Sequence, residues 1–267
     1  IFDYIDSTAL YPCSKVSSFI SFGEVGRTSV DHRSTVVQLQ RRYANPVVIV
    51  GVPSYAGSHA ITMRVRQVTN SSFTMFAQET RCLDTSHVSE SVSWMVIESG
   101  KWSIETNHTD DGDGMAIIEA NTLTLAHFGW QRVTFSNGGL VETPVALSQV
   151  QTINGPQFVK TRQRNADRSG FDIRLEEDGL DLRHNRERVG WVSLPPRTGR
   201  VGLLTFEAST TGRVVSHRVY SIQFSQPFTK PPNLFASIAS FYGPDPAHLR
   251  QHTSAGHNKS AQIFIQE

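Results

Sequence analysis

Net charge is almost absent from this chain: 25 basic residues stand against 24 acidic ones, leaving +1 with histidine neutral. Nucleic-acid surfaces need an uncompensated positive stripe. The basic run Arg162, Arg164 and Arg168 is instead answered by Asp167, Asp172, Glu176, Glu177 and Asp178, so no nucleic acid is expected as a partner. Long apolar runs are missing as well. No stretch approaches the roughly 18 residues a spanning helix needs, and no membrane insertion is expected. Cysteine is scarce, with Cys13 and Cys82 alone. Two cannot staple a fold. They suffice for one bridge between the N-terminal segment and the first copy of a repeat described below, or they are two buried free thiols. No signal peptide is visible and no Met opens the chain, which reads as a processed or partial product.

Helical periodicity and catalytic signatures are lacking too. No window of about 12 residues carries a 3.6-residue apolar period. There is no Gly-x-Ser-x-Gly, no His-Glu-x-x-His and no phosphate-cradling glycine loop. The ten histidines are scattered without ligand spacing, so no metal and no cofactor are expected. His87, His184 and His248 read as surface-loop residues. A glycosidase needs two facing carboxylates, and the neighbours Glu176 and Glu177 point to opposite faces of a strand. The chain is not expected to be an enzyme.

What the chain does have is repetition. Pro46 and Phe73 stand as far apart as Pro144 and Phe171. A glutamate comes after each Phe at the same distance, Glu79 and Glu177, and then Glu-x-Val-x-Trp, at Glu90 to Trp94 and at Glu187 to Trp191. Arg64 and Arg66 recur as Arg162 and Arg164. A third copy opens at Pro231-Pro232 and runs to Gln262–Glu267, which matches Thr74–Glu79. A period of roughly 90 residues is too long for a solenoid and suits a small complete domain.

Each copy reads as short strands. Val47 to Val52 is an apolar run after proline, Met63 to Val68 alternates, Phe73 to Glu79 comes after a polar turn, and Val92, Trp94 and Val96 share one face of the last strand. The second copy gives Val145 to Val150, Val159 to Arg164, Phe171 to Glu176 and Arg188 to Leu194. Such spacing predicts an all-β chain of tandem antiparallel six-stranded β-sandwich domains. The boundaries are an N-terminal segment at 1–22, a first repeat at 23–106, a second at 107–200 and an incomplete third at 201–267. Asp110, Asp111 and Asp113 crowd the linker Asn107 to Gly114. Lacking the later bidentate glutamate of a calcium loop, they read as an inter-domain turn.

Between the repeated Glu and Trp lies a polar loop that differs between copies, and variable loops on a fixed sandwich are where recognition resides. Arg81, Asp84 and His87 in the first loop, and Asp181, Arg183 and His184 in the second, are candidates for holding a polyol. Carboxylates accept from hydroxyls while guanidinium and imidazole donate. The alternative is a solvated turn with internal salt bridges. Asn70, Asn107 and Asn258 open Asn-x-Ser/Thr sequons, which with the possible disulfide point to a secreted, extracellular protein.

The segments Tyr43-Ala44-Asn45-Pro46, Arg64 to Thr69 before Phe73, Val92 to Glu98, and Phe228-Thr229-Lys230-Pro231-Pro232 together resemble the H-type lectin domain, over residues 23–267. The resemblance implies a six-stranded antiparallel sandwich, frequently trimeric, that binds galactose-type sugars near protomer boundaries. It places Asp31 in the role of the family's sugar-binding Asp and Arg64 or Arg66 in that of its Arg, with Arg162 and Arg164 as their repeats. Thr80 and Arg81 stand where the family has a Trp-His pair, and Val88 or His87 near its Tyr. The family's N-terminal disulfide implies a Cys13–Cys82 pairing. Glycans, and a homo-oligomer or neighbouring repeats, are the partners expected. The resulting expectation is non-catalytic, multivalent carbohydrate binding; a structural module of an extracellular filament, appendage or matrix is the alternative.

The third copy would place its Trp beyond Glu267, and Ile1 to Ser7 resembles the closing strand Trp94 to Ser99. Either the chain is a piece of a longer array, or residues 1–7 complete the third repeat of a neighbouring chain.

Overall fold

The computed structural model describes residues 19–20, 22–80, 83–107, 115–126, 129–136, 140–177, 184–243, 245–252 and 257–266. The fold is all-β, with no helix among the described residues. The expected Cys13–Cys82 pair, the acidic linker at 110–113 and the strand at 1–7 lie outside them.

The first unit holds β1 (Phe19–Ile20), β2 (Gly23–Val30), β3 (Thr35–Gln38), β4 (Pro46–Val50), β5 (Ile61–Arg66), β6 (Ser72–Glu79) and β7 (Glu90–Glu98). The second holds β8 (Gly100–Thr106), β9 (Met115–Leu125), β10 (Gln131–Thr134), β11 (Val145–Val150), β12 (Val159–Asp167), β13 (Gly170–Glu177) and β14 (Glu187–Leu194). The third holds β15 (Thr198–Val201), β16 (Leu204–Glu207), β17 (Tyr220–Gln223), β18 (His248–Gln251) and β19 (Ser260–Gln266).

Pairing repeats with the sequence. An inner sheet runs β1-β2-β7-β4 in the first unit, and β9, β14 and β11 pair in the same order in the second. The outer sheets are β3-β6-β5, β10-β13-β12 and β17-β19-β18. β8 lies before the expected boundary at 106, yet it pairs with β9 on one side and β15 on the other. The second inner sheet therefore continues through β8 and β15 to β16 of the third unit. Among the described residues, no strand of the third unit takes the place that β7 and β14 hold.

The continuous apolar runs have a simple cause. In β4, Val48 and Val50 face the core shared with the outer sheet, together with Val65, Phe73, Met75 and Val92. Val47 and Ile49, on the other face, join a different core. That second core gathers Phe22, Met95 and Ile97 of the first unit, Ile118, Leu147, Val192 and Leu194 of the second, and Val201, Leu204, Phe206 and Phe235 of the third. Inner strands such as β4 and β14 are therefore buried on both faces, which removes the alternation a half-exposed strand shows. The outer cores stay separate, one centred on each unit, although the third takes in Val52 of the first. Three units are thus packed about a common apolar centre. Trp191 is 4% exposed inside the second outer core. Trp94 is half-buried against Phe73, ring centroids 5.7 Å apart. Gly26 faces Trp94 across the β2–β7 pair, and a Cβ there would lie 2.4 Å from the indole, so the ring requires glycine.

Candidate functional site

An arginine repeats at the boundaries. Arg64 pairs across its sheet with Phe76, Arg162 with Arg174 and Arg250 with Phe264, which makes the three positions equivalent. Each reaches into the next unit. Arg64 donates through Nη1 to the Gln157 carbonyl oxygen at 2.7 Å in the second unit. Arg162 donates to the Ser240 carbonyl oxygen of the third at 3.4 Å. Arg250 returns to the first, donating to the carbonyl oxygens of Ser54 (2.8 Å), His59 (2.8 Å) and Gly57 (3.2 Å). The series closes the three units into a ring.

Behind two of these arginines sits a buried carboxylate–imidazole–carboxylate chain. His87 Nδ1 lies 2.8 Å from Glu79 Oε1, and its Nε2 3.0 Å from Glu90 Oε1. His184 repeats this with Glu177 at 2.7 Å and Glu187 at 2.9 Å. Arg250 Nη2 meets Glu90 Oε1 at 2.6 Å. Glu90 also accepts from the Ser54 hydroxyl at 2.5 Å and from the Ala56 and Gly57 amides. Burial pushes the Glu90 carboxyl up, but those hydrogen bonds and His87 outweigh it and hold it below the ordinary carboxylate range. Arg64 is pulled down to about 10 by burial, against the opposing pull of the Glu187 and Glu177 carboxylates. Burial likewise lowers Arg250, opposed by Glu90.

The surface-loop reading of the histidines is therefore corrected: His87, His184 and His248 are 4%, 5% and 4% exposed. The first two are drawn inside by the flanking glutamates, since a buried carboxylate needs donors. His248 packs against Phe158, ring centroids 5.0 Å apart. Beside it, Lys160 Nζ approaches His248 Nε2 and Glu176 Oε2, both at 3.2 Å. Lys160 and His248 line a central cavity of about 110 Å³ to which all three units contribute.

Of the candidate sugar contacts, Arg64 and Arg162 are buried at boundaries, and His87 and His184 are buried with their glutamates. Asp31 accepts from the Arg33 amide in a local turn. Arg66 donates to the Ser34 hydroxyl at 2.7 Å and lies over Phe76. Asp84 is exposed, and one of its oxygens accepts from the Ser86 amide. Arg81, Asp181 and Arg183 lie outside the described residues. The sequon residues Asn70, Asn107 and Asn258 are all exposed.

Arg164 stands at the Arg66 position of the second unit, in a cluster that sequence reasoning missed. Its guanidinium carbon is 4.1 Å from the Trp130 ring centroid, and that of Arg174 is 4.9 Å from it. Arg174 also lies 4.3 Å over Phe241, whose ring meets Trp130 at 5.5 Å. Asp172 Oδ2 is 3.4 Å from Arg164 Nε. Trp130, Arg164, Asp172, Arg174 and Phe241 are all only part-buried, so the cluster reaches the surface where the second and third units meet. Trp130 precedes β10 outside every repeated motif, so no period pointed to it. Arg250 was within reach, because the match of Gln262–Glu267 to Thr74–Glu79 fixes its partner strand.

Fold and boundaries define an all-β protein of three repeated units that share one core. No family model matches the chain, and no solved structure matches it. Over 227 residues it is 29% identical to Halomucin of Haloquadratum walsbyi, a match covering 80% of this chain. It spans only 2% of the length of that relative.

Proposed function

We propose that this is an extracellular, non-catalytic glycan-recognition module of the H-type lectin kind, binding at the boundary between its second and third units. The observation that carries this is the part-buried cluster of Trp130, Phe241, Arg164, Arg174 and Asp172. Aromatic edges beside two guanidinium forks and a carboxylate offer apolar surface, donors and an acceptor, as a pyranose requires. The extracellular placement draws support from the exposed sequons and the similarity to Halomucin. The trimer-like arrangement of units agrees with the family's habit of binding at protomer boundaries.

Printing the protein multivalently on a glycan array, with competition by free sugar, tests the reading. Competable binding should fall by about tenfold or more in Trp130→Ala and Arg164→Ala. Absence of any competable glycan at high valency defeats it. A second reading, a structural segment of a long surface polymer, is favoured by one observation: the chain matches so small a part of its long relative. It predicts ordered polymers by electron microscopy and no glycan signal.

A further inference from the structure

The first unit carries a second cluster, apart from the one assigned to glycans. Ligand atoms of His59, Glu79 and Asp84 all lie within 4.8 Å of one another. Strand pairing creates it: Ile61 stands opposite Glu79 on β5 and β6, which sets His59 beside the end of β6. Asp84 comes from the loop after that strand, where Thr85 adopts φ 62. His59 Nδ1 is 3.0 Å from Glu79 Oε1. Ligands of one tetrahedral zinc, at about 2.0–2.2 Å from the metal, stand about 3.3–3.6 Å apart.

Glu79 is the informative member. Its side chain is fully buried. Oε1 is shared between His59 and His87, at 3.0 and 2.8 Å. Oε2 is buried with no hydrogen-bond partner among the described residues. A bare carboxylate oxygen in that setting is costly unless something cationic reaches it. Asp84 and His59 are exposed, so the cluster opens to solvent on one side. The second unit supplies a contrast: the position of His59, whose carbonyl receives Arg250, is held there by Gln157, whose carbonyl receives Arg64.

We propose that His59, Glu79 and Asp84 form a binding site for one borderline divalent cation, with Zn²⁺ the best match. One imidazole and two carboxylates exclude the oxygen-only preference of Ca²⁺ and Mg²⁺. Three protein ligands leave a coordination position for water or an incoming donor. The two carboxylates balance the charge of the ion. The site touches the ring closure, because Arg250 of the third unit donates to the His59 carbonyl oxygen at 2.8 Å. An ion that fixes His59 therefore also fixes that seam.

Calorimetric titration of the full chain with Zn²⁺ is the test, run alongside His59→Gln and Asp84→Asn. Both side chains are exposed, so the variants should fold, as circular dichroism will show. One zinc per chain is expected beyond any thiol-bound zinc common to all variants. Each substitution should weaken that zinc by more than about 100-fold. Zn²⁺ should raise the melting temperature of the parent but not of His59→Gln. Equal zinc binding in the parent and both variants overturns the site, as does the absence of saturable binding into the millimolar range.

Discussion

Arg250 has 0% exposure and spends its guanidinium on one carboxylate and three main-chain carbonyls of another unit. Removing it takes the cation from the buried Glu90 carboxylate, which keeps its neutral donors at Ser54, Ala56 and Gly57. Arg250→Met should therefore cost about 3–5 kcal/mol, read as a shift of the denaturant midpoint. Adding Glu90→Gln should recover part of the loss, because the uncompensated charge is gone. Glu90 also sets an acid limit. Its folded pKa lies below the ordinary value of 4.5, so its stabilisation is complete above that value and is lost as pH falls through the folded one. Melting temperature tracked from pH 6 to about pH 3 should drop below about pH 4.5, and the drop should be shallower in Glu90→Gln. At this scale the sequence was legible in part. The repeat of Glu79, His87 and Glu90 as Glu177, His184 and Glu187 was in plain view. That it denotes a buried chain was not, because polar residues in a loop look alike whether they face water or each other.

Among elements, legibility was highest for strands that carry the repeated motifs. Val145 to Val150 was read with its observed limits, and Phe73 to Glu79 to within a residue of them. Met63 to Val68 was placed late, since the strand stops at Arg66 and Gln67 turns at φ 52. β8 escaped notice. Its Lys-Trp-Ser-Ile-Glu-Thr alternation does announce a strand, but not its pairing with β9 and β15. Close approach of main chain from different units also makes a prediction. A Cβ on Gly51, just past β4, would stand 2.3 Å from the Leu234 carbonyl oxygen of the third unit. Main chain cannot step aside as a flexible side-chain tip can. Gly51→Ala should cost about 1–3 kcal/mol by overpacking, seen in chemical denaturation. An unchanged midpoint would mean the first and third units do not meet as described.

For the molecule as a whole, the repeat was legible and the ring was not, because each copy looks self-sufficient until both faces of its inner sheet are counted. Residues 100–194 produced alone would bare Ile104, Ile118, Leu147, Val192 and Leu194, which the other units now cover. That fragment should self-associate or bind a hydrophobic dye, and light scattering after gel filtration distinguishes the two. A monomer that takes up no dye would show that the units do not depend on one another.

The seam between Arg250 and Ser54 joins positions 196 residues apart. During synthesis the first unit leaves the ribosome long before its clasp exists, so the nascent protein is an open arc with a bare flank. At roughly 5–20 residues per second, the intervening ~200 residues take some tens of seconds, an interval that exposes the flank to neighbouring ribosomes on the same message. Slow translation or crowded polysomes would favour clasps fastened between siblings over those fastened within one molecule.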